Sequence, residues 1–496
     1  MNLDYSSILK ADRVQPDIVA NRSLVTAAEA DLEQILFSPV FRRLQHQARA
    51  FPLDGNVGNK SSQAIETAHI GRRIARQIAA RLESGKLASA SASECTAFVD
   101  FTETACLARE VGCPPFDQAG EAAIQRWFVE HGPSKVKMAC RHHGGRDFDD
   151  SDPRLVNALA DFYEFDRNPQ RLRVLAKLQV GNTARSLHLT KTSIASTLQY
   201  LRMAGVGTAE TTAGFSDKPG FFSTEAGLVK NVWSSVGYEP EPQRFPISYI
   251  AEAAADIVSF SGDLQRAIDN DLLRAQDAIE AIKNDWLTTY IPIDPDPVDQ
   301  QILDTFALGA DGGFADARQA LIAALCDYVA RRYIDQHDAV FAGITETLLP
   351  TESGAGSMVA ALERYCRQHL YCLETVQRKE LIGYSVVSGL LDHFGVLLES
   401  PSARFQTLLN ASDAAKASDR SLFVERKLLA TIPLGYRNAY SHSLALLGHA
   451  HGRDQEFEEW NVRAHLLVDF IAGMDEDAAT ALHGMLSGCI DHRAGR

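Results

Sequence analysis

The sequence predicts an all-α fold, and three observations carry that expectation. Apolar residues recur at helical spacing in four long stretches, strand-like alternation is scarce, and the breaks between them are short and rich in Ser, Ala, Gly, Asp and Pro. In residues 61–82, Ile70, Ile74, Ile78 and Leu82 recur every four positions while Arg72, Arg73, Arg76 and Arg81 fall elsewhere, the pattern of an amphipathic helix. The Ser/Ala-rich run at 84–94 and the Gly/Asp-rich run at 144–154 read as loops. At 183–205, TARSLHLTKTSIASTLQYLRMAG has the form of a short helix, a turn and a second helix, in which Thr190, Lys191, Thr192 and Ser193 would open a DNA-reading helix. An acidic chain with no basic cluster there favours two packed helices joined by a capped turn. In TTYIPIDPDPVD at 288–299 the prolines forbid a continuing helix. Helical periodicity returns at 317–334, 381–398 and 463–474. With no internal repeat and no long linker, residues 1–496 are expected to form a single helical body.

Composition bounds the function. A chain of 496 residues with 45% hydrophobic and 23% charged residues can bury a large core. Its net charge of -15 argues against general coating of nucleic acid, because phosphate neutralisation needs a surplus of Lys and Arg on the contact face; only a local basic groove would serve. The eight cysteines are scattered without a CxxC pair, so they are expected to be reduced core residues, not zinc ligands or a disulfide framework. No stretch approaches the roughly 18 uninterrupted apolar residues of a membrane span, and MNLDYSSILKADRVQPD lacks the basic start and apolar centre of a signal peptide. The expectation is a cytoplasmic protein that does not use a membrane.

Three segments, taken in order, resemble a known family: FSPVFRRLQHQARAFPLDGN (37–56), SSQAIETAHIGRRIA (61–75) and CLAREVGCPPFDQAGEAAIQRWF (106–128). They are similar to the FRRLQ-KTQVFPL run, the THSLEVAQIGR helix and the LAHDIGNPPFGHAGE turn of the bacterial dGTP triphosphohydrolases of the HD-domain superfamily. NPQRLRVL (168–175), KPGFFSTEA (218–226), YIAEAAADIVSFSGDLQRAI (249–268), ELIGYSVVSGLLDHFGVLL (380–398) and RAHLLVDFIAGMDED (463–477) extend the likeness over nearly the whole chain. The resemblance implies an HD-domain helical core, here 37–270, elaborated by further helices, with 271–496 serving packing and closure of the nucleotide pocket. It also implies assembly as a homo-oligomer, in this family commonly a hexamer.

An HD site works because two histidines and two aspartates hold a divalent cation that polarises a phosphoryl oxygen and lowers the pKa of attacking water. By the resemblance, this chain has Gln63 for the first histidine, Arg109 and Glu110 for the HD pair, and Ala255 for the first aspartate of EAADDI, keeping the second as Asp256. Glutamine offers a neutral amide and glutamate a longer arm, but alanine offers nothing, and arginine stays cationic with no lone pair. The helper histidine of FGHAGE is Gln118, preceded by Asp117 in place of glycine. The glutamate and glycine of FEGNAQ are Asp166 and Arg167. The nucleotide-contacting KTQ is QAR at 47–49, and the tyrosine after GMTD is Ala478. Meanwhile Phe41, Arg42, Arg43, Leu44, Gly71, Arg72, Pro114, Pro115, Phe116, Gly120 and Glu121 stay as the family has them.

The frame is kept and the ligands are not, which reads as a pseudoenzyme: a nucleotide-sensing or regulatory subunit with no metal, whose pocket keeps Arg42, Arg109, Asp117, Glu121 and Asp256 for nucleotide. The alternative is an active deoxynucleoside triphosphate triphosphohydrolase in which Glu110 and Asp256, with Asp117 and Glu121, hold Mg²⁺ or Mn²⁺ through oxygen. Arg109 either binds phosphate bidentately or pairs inward with Glu110, Asp117 or Asp256 and plugs the pocket. His69, six residues after Gln63, lies too far round its helix to replace the lost ligand. His142 and His143, beside Asp147, Asp149 and Asp150, offer metal donors, but a solvated loop is expected there. Partners in view are a nucleotide, further copies of the chain packed through a face such as Leu381, Tyr384, Val387 and Leu391, another protein and, on family grounds alone, single-stranded DNA.

Overall fold

The computed structural model describes residues 4–15, 22–47, 59–84, 90–140, 149–178, 186–206, 218–238, 243–292, 295–410, 420–447 and 454–488. The elements that matter for the site, in chain order, are α1 (Leu24–Leu36), α2 (Lys60–Glu83), α3 (Ala92–Leu107), α4 (Gln118–Ala139), α5 (Pro153–Tyr163), α6 (Arg167–Ala176), α7 (Lys191–Thr197), α8 (Pro246–Asp269), α9 (Ala275–Thr289), α10 (Pro297–Gly312), α11 (Phe314–Asp335), α12 (Gly354–His369), α13 (Glu374–Phe394), α14 (Asp454–Ala472) and α15 (Glu476–Leu486). Among the described residues the one sheet is a parallel pair, β1 (Arg202–Met203) and β2 (Pro219–Phe221). The fold is all-α, as the periodicity predicts.

Local chemistry sets the helix starts. Asn59 accepts from the backbone N–H of Ser62 to cap α2, and Ser91 and Glu94 form a reciprocal capping box on α3. The prolines of 288–299 stop α9 at Thr289 and then serve the next helix: Pro297 takes the first position of α10, where its missing N–H costs nothing.

Buried apolar side chains gather in two clusters. The first joins α2, α3, α8, α11 and α12 through residues such as Ile74, Ile78, Phe101, Ile257, Leu325 and Leu362. The second joins α4, α5, α13 and α14 through Phe128, Phe162, Leu390, Phe394, Trp460 and Leu467. Residues before and after position 270 therefore contribute to both. Residues 108–117 lead from α3 in the first cluster to α4 in the second, and this seam is where the candidate site lies.

Two expectations change. Thr192 to Thr197 are buried, and residues 186–189 are not helical, so 183–205 holds one described helix inside the body, with no face to offer DNA. Asp31 explains its burial: its carboxylate accepts from Arg13, from the Thr190 backbone and hydroxyl, and from Ser193, tying α1, the N-terminal arm and α7 together. The expected packing face on α13 splits. Val387 and Leu391 are fully buried within the chain, whereas Leu381 is 71% and Tyr384 38% exposed; the residues of α13 that enter the second cluster are Val386, Val387, Leu390, Leu391 and Phe394. Glu374–Leu398 is also long and apolar enough, by length and composition, to cross a membrane, and half of its most apolar stretch of 18 residues is buried inside the fold, as in a core helix.

Candidate functional site

The turn Ala108–Asp117 is shaped by close approaches. Gly112 has φ +93°, and a Cβ there would stand 2.5 Å from the backbone N of Arg171, so α6 presses directly on the turn. On the other side, a Cβ on Gly383 would meet the Cβ of Phe116 at 2.3 Å, which brings α13 down over the turn. Phe116 (φ 62°) and Asp117 (φ 54°) both hold left-handed backbone. A non-glycine residue in such a conformation costs on the order of 1–3 kcal/mol and persists where its surroundings over-determine it.

Those surroundings are ionic. Asp117 pairs with Arg167 and, at 2.9 Å, with Lys60, while Arg167 Nε donates to Glu121 at 2.9 Å. The Lys60 side chain is 3% exposed, so the cluster is largely withdrawn from water. Burial alone would raise the Asp117 carboxyl, but the two cations beside it hold it below the usual carboxylate range. Glu121 moves the other way: burial raises it more than Arg167 lowers it, with Asp166 and Asp117 adding to the rise.

Arg109 lies in the short 3-10 turn after α3, half-buried, and its Nη1 donates to Gln199 Oε1 at 3.0 Å. That bond goes to an amide, while Asp117 is held by Lys60 and Arg167. Gln199 in turn donates to Glu252, which also accepts from Arg244. Arg171 fixes the turn from behind, with Nε and Nη2 donating to the Arg109 carbonyl at 3.1 and 2.6 Å and Nη1 donating to the Thr197 carbonyl at 3.3 Å. Burial, with Arg109 alongside, depresses the Arg171 guanidinium to about 10. Asp256, one turn beyond Glu252 on α8, is raised to about 7, first by burial and then by Glu252, against the pull of Arg109 and Arg244.

Glu110 is half-buried and accepts a weak contact from Cys113 Sγ at 3.8 Å. Gln63 is half-buried on α2 and Ala255 is buried on α8. Arg42 is exposed and donates to the Phe37 carbonyl, Gln118 is exposed, and His69 faces outward. Among the described residues, no three His, Cys, Asp or Glu side chains converge as a metal-binding set. His142, His143 and Asp147 lie outside the described residues; Asp149 and Asp150 bond Ser151 and Lys137.

A chain with this helical frame has curated relatives along almost all of its length. It is 29% identical over 482 residues to a deoxyguanosinetriphosphate triphosphohydrolase of Yersinia enterocolitica, covering 90% of this chain and 91% of the relative. It is 28% identical over 484 residues to the Serratia proteamaculans protein of the same name, covering 91% and 92%, and 28% identical over 483 residues to that of Yersinia pestis, covering 90% and 91%. Over almost its whole length the chain is similar to deoxyguanosinetriphosphate triphosphohydrolases. No family model matches it.

Within that family frame, sequence reasoning missed Lys60, Arg171, Gln199, Glu252 and Arg244. Lys60 carried a local signal, since it opens the helix three residues before Gln63. Of the rest, Arg171 reaches the turn from α6 and Gln199 from just after α7, while Glu252 on α8 and Arg244 just before it bond behind Gln199, with no spacing to reveal them.

Proposed function

We propose that this chain is a catalytically inactive member of its family, acting in the cytoplasm as a nucleotide-sensing or regulatory subunit. The observation that carries the reading is the Asp117–Arg167 ion pair. Both residues stand where the resembled motifs have glycine, and they meet in the seam with Lys60 and Glu121, filling with paired charge a place the family pattern keeps free of side chains. A divalent cation does not fit what remains: two carboxylates, Glu110 and Asp256, with an amide at Gln63, a methyl at Ala255 and a guanidinium at Arg109 that repels the ion. Arg109 spends Nη1 on Gln199 and, being half-exposed, keeps donors for a phosphate. Hydrolysis is lost and anion binding is retained.

The expected result is no conversion of dGTP to deoxyguanosine and triphosphate with Mg²⁺, Mn²⁺ or Co²⁺. Turnover abolished by Glu110→Ala, or a metal seen at Glu110 and Asp256 by anomalous scattering, would establish the active carboxylate-site alternative instead. Calorimetry with dNTPs, NTPs and their products should show binding that Arg109→Ala weakens about tenfold, the loss of one charge-assisted contact. If nothing binds and Arg109→Ala only lowers the melting temperature, Arg109 is a plug and the function lies in surface contacts.

The same reading includes a homo-oligomer, a hexamer by family resemblance. It is supported by Leu381, Ile382 and Tyr384, which leave an apolar face exposed on α13. Light scattering at micromolar concentration should give a multiple of 54.3 kDa; a monomeric mass would overturn it.

A further inference from the structure

Arg109 stands at the end of a bond chain whose order is fixed. Its Nη1 donates to Gln199 Oε1 at 3.0 Å, Gln199 Nε2 donates to one oxygen of Glu252, and the other oxygen of Glu252 accepts from Arg244 Nη2. A guanidinium only donates and a carboxylate accepts, so the amide between them has one orientation, oxygen toward Arg109 and nitrogen toward Glu252. Gln199 and Arg244 are both buried. Arg244 also donates to Ser248 Oγ at 3.3 Å and to the Glu346 carbonyl at 3.0 Å, and lies over the Tyr249 ring, 4.0 Å from its centre. The far end of the chain is thus anchored in the fold, while Arg109 at the near end is half-buried. Arg171 fixes only the Arg109 backbone, through its carbonyl, which leaves the aim of the guanidinium to Gln199.

We propose that Gln199 is a positioning residue that keeps Arg109 aimed but without a counter-charge, and so sets the seam to take a phosphate group. The inference rests on the reading of Arg109 as a phosphate-binding residue. An amide oxygen orients a guanidinium through a neutral bond and leaves its charge for a ligand. A carboxylate in the same place would form the stronger, charge-assisted pair and compete with phosphate for the same donors. The seam does hold a carboxylate in line with Arg109, but both oxygens of Glu252 are occupied, one by the Gln199 amide and one by Arg244. The order of the two acceptors decides the outcome: amide next to Arg109, carboxylate one step behind it and neutralised there by a buried arginine.

Isothermal titration of the full chain with inorganic tripolyphosphate, without added metal, tests this. Gln199→Glu should weaken binding about tenfold, because Arg109 then has a carboxylate of its own. Gln276→Glu, which adds the same charge on the exposed face of α9, should leave binding unchanged. Gln199→Glu combined with Glu252→Gln keeps the net charge and the side-chain shapes and exchanges only the order of amide and carboxylate; its binding should stay about tenfold weaker than that of the wild type. If circular dichroism shows that the exchanged pair does not fold, Gln199→Glu against Gln276→Glu decides alone. Wild-type affinity in Gln199→Glu or in the exchanged pair, or equal weakening by Gln276→Glu, overturns the proposal and leaves the phosphate reading of Arg109 standing. Absence of binding by the wild type overturns that reading, and this inference with it.

Discussion

Replacing Arg173 by methionine should destabilise the chain by about 3–5 kcal/mol, the cost of leaving buried carboxylates without their cation. Arg173 is buried in α6 and bonds Asp469 of α14 through Nε at 2.9 Å and Glu225 through Nη1 at 3.0 Å, while Gln170 donates to the same Asp469. All three charged side chains are at most 2% exposed, so water cannot replace the lost partner. Methionine keeps most of the volume and removes only the charge and the donors. Urea unfolding followed by circular dichroism measures the loss; a change below about 1 kcal/mol would mean that Lys177, 2.9 Å from Glu225, carries the cluster alone.

The same cluster predicts a pH dependence. Burial would raise the Glu225 carboxyl, but Lys177 and Arg173 outweigh it and hold the group at about 2, against an ordinary value of 4.5. Between these values the unfolded chain binds more protons than the folded one, so stability falls as pH drops through 4.5 toward 2 and is complete above 4.5. In the Arg173→Met variant the depression shrinks and the fall in this window becomes shallower.

The helices were legible because burial on one face imposes a period on the sequence: Ile70, Ile74, Ile78 and Leu82 are all buried. The frame of the seam was legible for a related reason. Pro114, Pro115 and Gly120 sit within a few residues of one another and encode one turn. Partnerships between distant segments leave no such trace. Asp117 and Arg167 are fifty residues apart, and Arg109 and Gln199 are ninety apart. Nothing in the order of residues says that α6 and the residues after α7 come down on the same turn. The faces of α13 show the limit from the other side: an even apolar pattern at 381–398 does not reveal that Leu381 stays exposed while Val387 and Leu391 enter the second cluster.

Returning glycine to both positions of the central ion pair should show that the two charges depend on each other. Asp117→Gly alone relieves a left-handed backbone, a gain on the order of 1–3 kcal/mol, but leaves the buried Lys60 without its carboxylate and Arg167 with Glu121 only. Arg167→Gly alone leaves Glu121 unpaired and Asp117 dependent on Lys60, and should cost about 3 kcal/mol. If the pair replaced two glycines as a unit, the double variant should be more stable than the sum of the singles implies, with a coupling of about 2 kcal/mol in a double-mutant cycle. A coupling below about 0.5 kcal/mol would mean that each charge is tolerated for separate reasons, and the closed-seam reading would lose its main support. On the proposed reading the double variant does not hydrolyse dGTP. By the resemblance, Arg109 stands where the family has a metal-binding histidine, and Gln63 and Ala255 supply no anionic ligand. The proposed reading further expects the double variant to bind a deoxynucleoside triphosphate more tightly than the wild type, because two charged side chains would leave the seam and open space for the phosphate assigned there to Arg109.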